Sequence, residues 1–167
     1  MKSNLKILFL IAFTILSVSS FAQKIGHINY VELIQSMPET ATINKQLETI
    51  ARGYEEEIEA LEVEKRNKFV AYQNNLAALT QEAANEKLQE LQELSAKQER
   101  RTAEAEQEFQ QKQDEMLAPV FEKAQATIDK VAKDNGVACV FNSQVLLFAD
   151  ETKGLDLLPL AKKELGI

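Results

Sequence analysis

The residues of this chain that could do chemistry are few and scattered. His27 is the only histidine, so no histidine pair can hold a metal, and it reads as a structural or solvent-facing strand residue. Cys139 lies in the apolar run Val137–Phe141 and reads as a small buried side chain, because a reactive thiol needs basic or helix-N-terminal surroundings. Glu55-Glu56-Glu57 and Arg100-Arg101 read as solvated helix faces. No Ser/His/Asp set, glycine-rich phosphate loop or HExxH motif is present. The residues therefore point to a protein without catalytic residues, metal or cofactor.

What the chain does have is one long helix-forming stretch, from about Glu39 to Asp134. It is dominated by Ala, Glu, Gln, Lys, Leu and Arg, with no Pro between Pro38 and Pro119 and no Gly between Gly53 and Gly136. As one rod it would be roughly 140 Å long, and folded in half it would give two arms of about 60–80 Å. The first arm carries apolar residues at Ile43, Leu47, Ile50, Tyr54, Ile58, Leu61, Phe69, Tyr72, Leu76 and Leu79. Most steps are three or four, the seam of a helix that packs on a partner. The second arm continues through Leu88, Leu91, Phe109, Met116 and Val120. Thr80 can cap a new helix and Glu82 suits its N-terminal end, which places the hairpin tip near Ala78–Gln81. Between Leu94 and Phe109 the second seam offers Ser95, Gln98, Thr102 and Ala105, so the arms should be loosely joined there.

The aromatics Tyr54, Phe69, Tyr72 and Phe109 fall on these seams, with Leu76 beside them. They either hold the arms together or face outward as soft contacts for a partner; spacing alone does not separate the two.

Residues 1–22 read as a cleavable targeting segment: Lys2 and Lys6, an apolar run to Val18 interrupted only by Thr14 and Ser17, then Ser20-Phe21-Ala22 as a small-x-small site. The alternative is a retained anchor, disfavoured because the run is shorter than the ~20 residues a span needs. The mature chain is expected to be exported. Residues 39–118 hold 18 acidic and 10 basic side chains, a net charge of −8, which argues against nucleic acid as a partner.

The remaining segments flank the hairpin. Residues 23–38 should supply a strand, Lys24–Tyr30, and a helical turn. Ser36 and Glu39 have capping-box spacing, and residues 39–118 form the hairpin. Residues 119–167 should supply the helix end, a β-hairpin of Val137–Phe141 and Val145–Ala149, and a helix from Leu155 to Leu165 interrupted by Pro159. Those two strands are apolar on both faces, so a second subunit is expected to cover one of them. The fold class expected is α+β, mostly α.

Several short motifs carry a resemblance: Ile25-Gly26-His27-Ile28-Asn29-Tyr30, Pro119-Val120, Ile128-x-x-Val131-Ala132-x-x-Asn135-Gly136, Val140-Phe141-Asn142, Val145-Leu146-Leu147-Phe148, Asp156-Leu157 and Leu165-Gly166. In this order, around a long hairpin, they resemble the Skp (OmpH-like) family of periplasmic chaperones. The resemblance implies a jellyfish-like homotrimer, in which three hairpin tentacles project from a small β-rich body. It implies an ATP-independent holdase, located in the periplasm, that encloses unfolded outer-membrane proteins. Ile25, Ile28, Tyr30, Val140, Phe141, Leu146, Leu147 and Phe148 would form the oligomerisation body. Tyr54, Phe69, Tyr72, Leu76 and Phe109 would be candidate client contacts. Well-known family members are basic whereas this hairpin is acidic, so membrane contacts do not carry over. A structural coiled-coil envelope protein or a membrane-anchored scaffold is the alternative.

Overall fold

The strand nearest the N-terminus, β1 (Lys24–Ile28), becomes the centre of a sheet. The computed structural model describes residues 24–148, 150 and 154–167, so the expected targeting segment and Ala149 lie outside the described residues. After β1 come α1 (Tyr30–Ser36), α2 (Pro38–Asn75), a 3-10 turn (Leu76–Ala78) and α3 (Gln81–Asp134). Then follow β2 (Val137–Asn142), a second 3-10 turn (Ser143–Val145), β3 (Gly154–Asp156) and α4 (Leu158–Leu165). Residues 34–125 form one unit, the helical hairpin; the described residues up to 33 and from 126 onward form the other, around the sheet.

The sheet unit differs from the sequence expectation. All three strands are parallel, in the order β2-β1-β3. The expected antiparallel hairpin does not form. Asn142 ends β2 and accepts the Gln144 N–H on its own side chain, an Asx turn that diverts the chain into the 3-10 turn. Leu146, Leu147 and Phe148 are not strand. The missing neighbour of β1 is β3, whose Leu155 and Asp156 fall in the segment expected to be helical. Gly154 and Leu155 pair with β1, and α4 starts only at Leu158, with Pro159 in its first turn, where the absent N–H costs nothing.

The core of this unit is Ile28, Leu33, Ile128, Val131, Ala132, Leu157 and Ala161. Gly26 is required by close approach: a Cβ there would stand 2.3 Å from Leu157 Cδ1 and 3.0 Å from Val137 Cγ1. The expected strand to Tyr30 stops at Ile28 because Asn29 caps α1. Its Oδ1 accepts the Glu32 N–H at 3.1 Å and its Nδ2 donates to Glu32 Oε2 at 3.3 Å, a reciprocal cap. Lys162 on α4 pairs with the same Glu32 at 2.8 Å, and Lys130 on α3 pairs with Glu164.

In the hairpin unit, α2 begins with Met37 at the N-cap and no side-chain cap. The sequence places a capping box at Ser36 and Glu39, whereas the N-cap is Met37, and the Thr40 hydroxyl donates to the Ile34 carbonyl at 2.6 Å. At the tip, Leu76–Ala78 form the 3-10 turn and Leu79-Thr80 the link. Thr80 Oγ1 accepts the Ala83 N–H at 3.3 Å, the cap the sequence suggests. Pro119 lies inside α3, which continues past it to Asp134.

Candidate functional site

The hairpin has a dry seam at one end and an open one at the other. Leu47, Leu94, Ala105, Val120 and Ala124 are buried, with Ile34 in α1, Met37 at the N-cap of α2 and Thr40 in its first turn. From Glu48 to Glu93, across the tip, no described residue is buried. Lys123 also pairs with Glu39, and this bond holds the Glu39 carboxyl below its ordinary pKa.

The open part contains a groove of about 690 Å³. Phe69 on α2 and Leu88, Leu91 and Ala96 on α3 supply its apolar lining; Glu62, Lys65, Arg66 and Glu99 are its charged lining. Phe69 is 44% exposed and Leu88 42%, so the lining is accessible. A second depression nearer the tip, of about 430 Å³, is lined by Ala71, Tyr72, Ala78 and Leu79. Polar groups bridge the arms around these openings: Lys65 donates to Gln98 Oε1, and Lys68 lies 3.6 Å from Glu90.

The five candidate hairpin residues therefore do not form one set. Phe69 faces the first groove and Tyr72 the second, while Leu76 is half-exposed in the turn. Phe109 is half-buried. Tyr54 is engaged with the other arm. The guanidinium of Arg101 lies 5.0 Å from its ring centroid, and the Glu108 carboxylate is near its hydroxyl. Desolvation, then the Glu108 carboxylate, raises its pKa.

Arg101 is the residue the sequence reading misplaced. It is no solvated face: its side chain is only 21% exposed. Nε and Nη2 both lie 2.8 Å from Glu57 Oε2 and Nη1 lies 3.4 Å from Glu108 Oε2. The bond to Glu57 is the main influence that raises its pKa. A signal was present, because Arg101 stands one heptad after buried Leu94, at a seam position of the coil. Leu88 and Leu91, expected to be closed into the seam, instead line the groove.

The eight body candidates are also divided. Ile28 is taken up in the chain's own core, and Tyr30, Val140 and Leu146 are half-buried. Ile25, Phe141, Leu147 and Phe148 are exposed. So is Cys139, contrary to the expected burial: β2 is an edge strand, and none of the described residues covers this thiol. His27 is half-buried on β1, and its carbonyl accepts the Leu157 N–H at 2.9 Å. Among the described residues, no three His, Cys, Asp or Glu side chains gather to hold a metal ion. No helix among them is long and apolar enough to cross a membrane.

No curated protein matches this chain. Among solved structures, it is similar to one from Caulobacter crescentus CB15 described as a proposed outer membrane chaperone (OmpH-like). The TM-score is 0.73 over 86% of this chain and 83% of that one, at 14% identity, a likeness of fold. The family described as Outer membrane protein (OmpH-like) matches residues 24–165. That match starts on the first residue of β1 and stops on the last residue of α4, so it takes in every element of both units, and the chain belongs to the OmpH-like family.

Proposed function

We propose that this protein is an ATP-independent, non-enzymatic holdase of the periplasm that binds unfolded outer-membrane proteins and keeps them from aggregating. The observation that carries the reading is the open outer hairpin, with no buried residue from Glu48 to Glu93 and the accessible groove of Phe69, Leu88 and Leu91. An apolar surface in a wet, charged limb gives many weak, sequence-tolerant contacts. That suits a chain without fixed structure and does not suit one rigid partner. In this reading three copies assemble through the apolar residues of the sheet unit, and clients lie between their hairpins.

The test is the aggregation of a urea-unfolded outer-membrane barrel diluted with and without the protein, in the presence and absence of ATP. Suppression at stoichiometric protein, indifferent to ATP and repeated for unrelated barrels, is the expected result. Phe69→Ser should weaken it several-fold without loss of helix content. Binding to one folded partner and no suppression would instead identify a structural envelope protein. The limb charge adds a second readout: basic clients should lose affinity as salt rises, while apolar binding persists. Identical salt dependence for basic and acidic clients would assign the acidic limb to solubility alone.

A further inference from the structure

The apolar stripe of α2 does not determine how the two arms line up. Ile50, Tyr54 and Ile58 follow each other at steps of four, so a slide of one turn, about 5.4 Å, exchanges one large apolar residue for another. The facing part of α3 adds little: Ser95 and Thr102 turn their hydroxyls onto their own helix, to the Leu91 and Gln98 carbonyls at 3.0 Å each. Ala105 is small and buried.

We propose that Arg101 is the register lock of the hairpin. Its partners on α2 are Tyr54 and Glu57, an aromatic face and a carboxylate three residues apart. A slide of one turn in either direction would replace Tyr54 with Ile50 or Ile58 and Glu57 with Gly53 or Leu61. Neither alternative offers a π face or an anion. The guanidinium, mostly covered where it sits, would lose its α2 charge partner and its ring, and keep only Glu108 of its own helix, now 3.4 Å away. A partly buried charge that loses its closest partner is disfavoured, and one polar group within an apolar seam is a known way to specify alignment. A planar guanidinium serves better than an ammonium, because it can stack on Tyr54 and bond Glu57 at once. The lock holds the arms at one offset beside the thin seam, while the groove beyond it is free to widen. This inference concerns the hairpin alone and stands whether or not the holdase reading does.

The test uses the full mature chain with Cys139→Ser and spin labels on Lys45→Cys and Glu86→Cys, two exposed positions on opposite arms. Labelled chain is diluted into unlabelled chain so that only distances within one chain are read. With Arg101 present, one distance is expected. Arg101→Met should add a second population displaced by about 5 Å, one helical turn, with circular dichroism unchanged. Tyr54→Ile, which makes the stripe uniform, should do the same, and Arg101→Lys should restore the single distance only in part. A single unshifted distance in both Arg101→Met and Tyr54→Ile would overturn the proposal. Loss of helicity in both would overturn it too, since the cluster would then supply stability and not alignment.

Discussion

Gly26 shows how a single atom can be excluded by packing. A methyl group there meets Leu157, a fully buried side chain, and Val137 on the neighbouring strand. Gly26→Ala should therefore destabilise the sheet unit by about 1–3 kcal/mol, the usual cost of overpacking. Thermal melting checks it; an unchanged midpoint would mean that Leu157 rotates away freely. At this scale the sequence was a partial guide. Thr80 was legible as a cap because hydroxyl-to-backbone bonds are local, and Asn29 was missed although it obeys the same rule, because a β-rich run hid it. Cys139 and Arg101 were misread because residue type was taken as a proxy for burial. An apolar neighbourhood in sequence does not cover an edge strand, and a charged side chain can be drawn into a seam when an opposite helix brings it an anion and a ring.

The two long helices were readable as elements because their periodicity extends over many turns, and the tip was placed to within a few residues. The sheet was less legible. β3 is three residues long, too short for a period to register, and its strand character comes from pairing with β1, not from propensity. Val145 to Phe148 has the composition of a strand but pairs with no strand among the described residues. Burial along the hairpin implies a gradient of local opening. Amides between about 66 and 93 should exchange fastest, and those of 120–132 and β1 slowest, because opening free energy follows buried apolar contact. Hydrogen exchange read by mass spectrometry checks it; uniform protection along both arms would refute the open seam.

For the whole molecule, the most exposed large apolar side chains among the described residues are Val145, Leu147 and Phe148, at 73%, 105% and 82%. Three such neighbours in water are a sign of association. Leu147→Asp should lower the mass found by sedimentation equilibrium toward that of one chain while helix content is retained, since Leu147 touches little within its own chain. An unchanged mass would place the assembly surface elsewhere. The strand order carries a consequence for how the protein is made. The strand synthesised early, β1, has both its neighbours near the far end of the chain. The sheet cannot close until on the order of a hundred further residues have emerged, whereas helical turns in between form from local contacts at once. Closure entropy grows only logarithmically, by about 0.6 kcal/mol for each doubling of the loop. Whole turns can thus be added to or removed from the limb at little cost to the sheet, which leaves limb length open to evolutionary adjustment and makes sheet closure a step that waits for the whole limb to be made.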